Sequence, residues 1–122
     1  MSDYWGYHLI LDCANCDRDS ITSYDNIYNF VKQLVRDIDM VAFDEPRIIN
    51  FGSGNKAGYT LDQLIETSNI AGHFVPDNGD GRSDMYLDVF SCKPYDIQIV
   101  MDLVREYFKA ERIRHNYITR QA

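Results

Sequence analysis

The chain has 122 residues, enough for one domain with a buried core and too few for two. Its net charge of -7 argues against a nucleic-acid-binding protein, because such proteins present a basic surface. We expect no membrane span and no signal peptide, since the apolar runs are short and the start is polar and acidic. Three cysteines disfavour a closed disulfide framework and favour a reducing cytoplasm.

The N-terminal part of the chain predicts a strand followed by a helix. Residues 4–13 alternate in side-chain character, which is typical of a half-buried strand. Residues 13–22 are polar and turn-like, and Thr22 or Ser23 is suited to cap a helix over residues 23–39. The apolar face of this helix would consist of Ile27, Phe30, Val31, Leu34, Val35 and Ile38.

More strands and a second helix are predicted in the rest of the chain. Extended apolar or alternating runs predict strands at residues 47–51, 59–65, 70–75, 85–90 and 113–118. The glycine-rich segment 52–58 predicts a loop, and residues 78–81 predict the turn of a hairpin. Asp96 is suited to cap a helix whose apolar face would consist of Ile97, Val100, Met101, Val104 and Phe108.

This order of elements predicts an α+β domain spanning residues 1–122. The sheet would be antiparallel or mixed, with both helices packed on one face. The other face of such a sheet needs a cover, and a second copy of the chain is the simplest one. We therefore expect a homodimer in which two sheets face each other, an αββα sandwich.

Several motifs that resemble metal sites are better explained as structure. Cys13 and Cys16 form a CxxC pair, but no second pair completes a zinc site, so we interpret them as a structural pair. The segment 76–81 lacks the acidic residues of a calcium loop and predicts a hairpin turn. His8 and His115 lie in predicted strands and are interpreted as packed or surface imidazoles. The sequence therefore predicts no metal site.

Three polar residues remain as candidates for chemistry. Ser68 and His73 lie five residues apart between two strand-like runs, and a hydroxyl and an imidazole can act as nucleophile and proton carrier. Cys92 follows the predicted 85–90 strand, where it could face Ser68 across the end of the sheet. The serine is not on a strand-to-helix elbow, which disfavours a conventional hydrolase. Spacing alone does not choose the reaction, and a strand serine with a packed histidine explains the same residues.

Four segments match a known family in the right order and at near-family spacing. They are Gly6-Tyr7-His8-Leu9-Ile10-Leu11-Asp12 with Cys16-Asp17, Gly58-Tyr59-Thr60, Ser68-Asn69-Ile70-Ala71-Gly72-His73-Phe74-Val75-Pro76-Asp77 and Asp88-Val89-Phe90-Ser91-Cys92. Together they resemble the small prokaryotic form of S-adenosylmethionine decarboxylase. The last segment is the most specific match.

The resemblance implies self-cleavage between Thr67 and Ser68 into a 1–67 chain and a 68–122 chain. In this family the serine hydroxyl attacks the preceding carbonyl, and elimination leaves a pyruvoyl group as the covalent cofactor. Its carbonyl would form a Schiff base with the amine of the small-molecule substrate and accept the electrons released as carbon dioxide leaves. By the same resemblance, His73 would move the proton during processing, Thr60 would stabilise the intermediate, and Cys92 would reprotonate the carbanion.

The resemblance also implies a substrate-binding set. Phe51 would stack on adenine and Asp77 would accept hydrogen bonds from ribose, and Glu66 and Val75 complete the set. Val75 stands where the family has tryptophan, and Thr67 replaces the usual glutamate, so the processing residues match better than the substrate pocket. Two alternatives therefore stay open: a pyruvoyl-dependent decarboxylase of ornithine or arginine, and an uncleaved regulatory homologue.

Overall fold

The computed structural model describes residues 4–122. Its strands are β1 (Gly6–Cys16), β2 (Arg47–Phe51), β3 (Gly58–Ile65), β4 (Ser68–Val75), β5 (Ser83–Ser91) and β6 (Arg112–Arg120), and its α-helices are α1 (Arg18–Ile21), α2 (Tyr24–Asp37) and α3 (Ile97–Phe108). The strands form one sheet in the order β2-β3-β4-β5-β1-β6, and all neighbours are antiparallel.

The helices cover one face of this sheet. Along β1, Leu9 and Leu11 are fully buried while the residue between them is half-buried, as expected for a strand with one face against the core. The ring of Phe108 lies 5.0 Å from that of Phe30 and 5.2 Å from that of Phe74, so it joins α3 to both α2 and β4. The predicted α+β class, with helices on one face, is confirmed. The opposite face, called the open face below, carries polar and half-exposed side chains.

The two long helices begin where capping residues predicted them. Ser23 accepts a hydrogen bond from the backbone N–H of Asn26 at the start of α2, and Asp96 accepts one from Gln98 at the start of α3. These side chains satisfy backbone donors that have no partner inside the helix. Both predicted helices are therefore confirmed, with ends within two residues for α2.

The prediction of a polar turn over residues 13–22 was wrong. β1 continues to Cys16 through a register irregularity at which Asn15 has a φ of 55°. The irregularity breaks the alternation that marks a strand, which is why the sequence pattern ended early. Asp17 then caps the short helix α1. The predicted loop 52–58 likewise contains one 3-10 turn, Gly54–Lys56.

Cys13 and Cys16 are both buried and unpaired. Burial raises the pKa of each thiol to about 12, so both are neutral near pH 7. Within residues 4–122, no group of His, Cys, Asp and Glu side chains is arranged to hold a metal ion. In the same part of the chain, the helices are too short or too polar to cross a membrane.

Candidate active site

The tip of the β3–β4 hairpin brings Ser68 and Cys92 together. Ile65 and Ser68 are paired across the two strands, and Glu66 and Thr67 form the turn between them. The backbone N–H of Cys92, just after β5, donates a hydrogen bond of 2.8 Å to Ser68 Oγ. The hydroxyl that could attack the Thr67 carbonyl is thus held in place by a neighbouring strand.

The thiol of Cys92 lies beside the same turn. Its Sγ is 4.0 Å from the carbonyl oxygen of Glu66, and the side chain is exposed. A cavity of about 210 Å³ borders the turn and is lined by Asp39, Met40, Val41, Glu66, Thr67, Cys92 and Lys93. Cys92 therefore lines a small cavity beside the turn that precedes Ser68, where a thiol could act as a proton donor.

Thr60 and His73 form a second polar pair on the open face. They are direct partners across β3 and β4, and Thr60 Oγ1 lies 3.4 Å from His73 Nδ1. Ser68 lies on the opposite side of β4, because side chains alternate along a strand. His73 is five positions along the strand from Ser68, which corresponds to about 16 Å at about 3.3 Å per residue. Within one chain, the structure does not bring His73 to Ser68.

The predicted substrate-binding residues are spread over the open face and its edges. Val75 lines a cavity of about 310 Å³ together with His73 and Tyr86. Phe51 is exposed at the end of β2, and Glu66 is exposed in the hairpin turn. Asp77 Oδ1 accepts hydrogen bonds from the N–H groups of two glycines in the β4–β5 connection, so this oxygen organises a turn.

Sequence reasoning missed Tyr86. It pairs with His73 across β4 and β5 and is 42 % exposed on the open face. Tyr86 lines the same cavity as Val75. It therefore supplies an aromatic side chain beside the position at which the resemblance predicted a tryptophan and this chain has valine. The available signal was the alternation of residues 85–90, which sets Tyr86 apart from the buried Met85 and Leu87.

Two further contacts on the open face were also missed. His8 Nε2 lies 3.0 Å from Asp88 Oδ1, joining β1 to β5. Near the end of the same strands, the rings of Trp5 and Phe90 lie 5.9 Å apart, and the guanidinium of Arg120 lies 5.3 Å from the centre of the Phe90 ring. The interpretation of His8 as a packed or surface imidazole did not include this carboxylate partner.

The fold and the site define a small α+β protein with one open sheet face and a held serine at a hairpin tip. The family model of S-adenosylmethionine decarboxylase matches residues 7–121. The chain belongs to the S-adenosylmethionine decarboxylase family, which confirms the resemblance read from its four segments.

Curated relatives and a solved structure agree with this membership. The S-adenosylmethionine decarboxylase proenzymes of Clostridium botulinum strains Langeland and Okra are each 25 % identical over 120 residues, covering 96 % of this chain and 95 % of theirs. The crystal structure of the adenosylmethionine decarboxylase from Aquifex aeolicus VF5 superposes with a TM-score of 0.80. It is 20 % identical and covers 99 % of this chain and 94 % of its own, so it supports the fold.

Proposed function

We propose that the chain is a proenzyme that cleaves itself between Thr67 and Ser68 and then decarboxylates S-adenosylmethionine. The observation that carries the proposal is the 2.8 Å hydrogen bond from the Cys92 N–H to Ser68 Oγ. This bond holds the hydroxyl of the residue that directly follows Thr67, whose carbonyl would be attacked. The 1–67 and 68–122 chains would remain together, because β3 pairs with β4 and β1 pairs with both β5 and β6 across the cut.

Cleavage begins when Ser68 Oγ attacks the carbonyl carbon of Thr67 and forms a five-membered ring. Breaking the C–N bond gives an ester and frees the amine of Ser68. Removal of the Ser68 α-proton then expels the Thr67 carboxylate, and one water converts the remaining unsaturated residue to a ketone with loss of ammonia. The Cys92 N–H holds the attacking oxygen, and a hydroxyl and an imidazole such as Thr60 and His73 would stabilise the ring and transfer protons.

The residues present fit a pyruvoyl group at position 68. Ser68 has the hydroxyl required to make the group, the turn before Ser68 is exposed, and Cys92 lines the cavity beside that turn. The group would supply an electron-withdrawing carbonyl next to the substrate amine. Cys92 is the proton donor for the substrate carbon that loses carbon dioxide, because it is the thiol exposed at this turn.

The distance between His73 and Ser68 supports a homodimer as the working form. Two chains packed open face to open face would form the αββα sandwich and bring the Thr60–His73 pair of one copy toward the Ser68–Cys92 pair of the other. Before cleavage Ser68 lies at the tip of the hairpin, beside the exposed Cys92, so the groups of the facing copy would have to reach it at that end of the sheet. The open face also exposes apolar side chains typical of an interaction surface: Ile49, Phe51, Leu64, Tyr86 and Ile118.

Intact-mass measurement of the purified protein tests cleavage. We expect two chains, with position 68 blocked to N-terminal sequencing. Ser68→Ala should give one whole chain, and Ser53→Ala, in the exposed loop after β2, should cleave normally. Cleavage that persists in Ser68→Ala would remove the assigned bond, and a whole wild-type chain would leave the regulatory homologue as the remaining alternative.

Release of carbon dioxide from carboxyl-labelled S-adenosylmethionine, ornithine and arginine, assayed in parallel, tests the substrate. We expect release from S-adenosylmethionine alone, since Tyr86 supplies an aromatic surface beside Val75. Release from ornithine or arginine instead would contradict the proposed substrate but not the proposed self-cleavage.

A further inference from the structure

We propose that the backbone conformation of Thr67 accelerates the self-cleavage, which makes Thr67 a positioning residue for that reaction. The inference rests on the proposed function, because it concerns the bond that follows Thr67. The φ of Thr67 is 63°, in the left-handed region. The residue therefore presents its carbonyl to Ser68 from a conformation that threonine rarely adopts.

Thr67 differs from the other residues with this conformation. Five non-glycine residues have a positive φ within residues 4–122, and Thr67 alone among them is β-branched. Asn15, Asp39 and Asp44 belong to the types that tolerate the left-handed region, because their short polar side chains bond locally. A β-branched side chain in this region is a genuine outlier and signals strain.

The surroundings of the turn explain why the strain persists. The segment 41–43 runs beside the end of β3, where the Val41 carbonyl accepts a 2.9 Å hydrogen bond from Glu66 N–H and Phe43 N–H donates one of 2.9 Å to Leu64. Thr67 Oγ1 donates a 2.6 Å bond to the Glu66 carbonyl. The backbone bonds to segment 41–43 fix the turn from outside the hairpin and do not depend on the Thr67 side chain, and strain survives where neighbours over-determine it.

The first step of cleavage lengthens this turn. In the precursor the Thr67 carbonyl carbon connects to Ser68 Cα through the amide nitrogen alone. In the ester it connects through Oγ and Cβ, which adds one atom to a turn of two residues. The longer connection lets φ of Thr67 relax, so strain in the precursor favours the ester. Whichever later step is slowest, a larger ester fraction speeds the appearance of cleaved chains.

Two substitutions separate strain from other roles of the side chain. Thr67→Gly accepts a positive φ without strain, and Thr67→Val keeps the β-branch but removes the hydroxyl. In a time course of intact mass on freshly translated protein, we expect Thr67→Gly to cleave about tenfold more slowly than wild type, which corresponds to about 1.4 kcal/mol. Thr67→Val should stay within about threefold of wild type, since its strain is retained.

The thermal midpoint, measured in the Ser68→Ala background, provides the structural control. Thr67→Gly should keep or raise the midpoint there, whereas a merely structural defect would lower it. Equal slowing by Gly and Val would assign the effect to the hydroxyl and overturn the proposal. Normal cleavage of Thr67→Gly would overturn it too, while the proposed function stands. A wild-type chain that never cleaves would contradict both this proposal and the proposed function.

Discussion

Thr60 Oγ1 and His73 Nδ1 lie 3.4 Å apart because the two residues are direct partners across β3 and β4. Ser68 lies at the far end of β4 and on its other side, about 16 Å along the strand at about 3.3 Å per residue. If both positions act in one reaction, they must come from different chains. The arrangement therefore requires an assembly of at least two chains for such a reaction.

Co-expression of two inactive variants tests whether the site is built from two chains. Ser68→Ala lacks the nucleophile but keeps His73, and His73→Ala keeps Ser68, so only a mixed dimer holds one complete site. Random pairing at equal expression puts half of each variant in mixed dimers, and we expect up to about half of the His73→Ala chains to cleave. Intact mass of the two distinguishable chains gives the fraction.

Each variant expressed alone is a control: Ser68→Ala should stay whole, and His73→Ala should stay whole or cleave slowly. Co-expression of His73→Ala with a variant carrying both substitutions should give no rescue, because neither chain then holds the imidazole. Absence of cleavage in the mixed sample, with dimers present by light scattering, would contradict a site built from two chains. Full cleavage of His73→Ala alone would remove His73 from processing.

The Cys92 side chain should matter more for turnover than for cleavage. Its backbone N–H holds Ser68 Oγ, and that bond survives truncation of the side chain. We expect Cys92→Ala to cleave at least partly while decarboxylation per cleaved chain falls about 100-fold or more, the usual effect of losing a general acid.

The position of the proton in the product distinguishes this role from a packing defect. In heavy water the wild type should label the carbon that lost carbon dioxide, whereas Cys92→Ala should also give misprotonated product. Cys92→Ser keeps a proton donor of similar size and should recover part of the rate. Normal turnover in Cys92→Ala would remove the thiol from the mechanism.

Much of this fold could be predicted because its elements carry strong local patterns. The alternation in β1 and β5 and the apolar faces of α2 and α3 follow directly from burial on one side. The short helix α1 was missed because four residues carry no helical period. Its signal was instead the Asp17 side chain, which caps it.

Part of the candidate site could likewise be predicted from the sequence, and part of it could not. The serine, the cysteine and their proximity could be anticipated, because both lie at the same end of two strands in the sheet. The separation of His73 from Ser68 could not, since close spacing in sequence suggests proximity while an extended strand separates residues steadily. The left-handed Thr67 is set by the strand pairing and by segment 41–43, and neither is visible in the local sequence.

Thiol labelling should distinguish the three cysteines. Burial raises the pKa of Cys13 and of Cys16 to about 12, and nearby negative groups add to the effect, so both stay protonated at pH 8. Only thiolates react with disulfide reagents such as dithiobisnitrobenzoate. In the Ser68→Ala precursor we expect one rapidly labelled thiol, the exposed Cys92, and all three in denaturant. Cys92→Ala in the same background should show none, and rapid labelling there would contradict the burial of the CxxC pair.

The cap of α1 should make stability depend on pH in the acid range. Asp17 Oδ2 accepts bonds of 2.7 Å from the Ser20 hydroxyl and 3.1 Å from the Ser20 N–H, and these bonds hold the pKa of Asp17 below its ordinary value of 3.8. A lowered pKa stabilises the fold above pH 3.8, and this contribution is lost as the pH falls through the folded value. Asp17→Asn keeps a capping oxygen but removes the titration.

Thermal midpoints of the Ser68→Ala precursor, with and without Asp17→Asn, measure this contribution between about pH 5 and 2. The midpoint should fall more steeply in the precursor that keeps Asp17 than in the D17N variant, because only the carboxylate loses its bonds on protonation. Asp80→Asn, in the exposed connection between β4 and β5, should leave the slope unchanged. Parallel curves for the precursor and D17N would mean that the Ser20 bonds do not favour the charged cap.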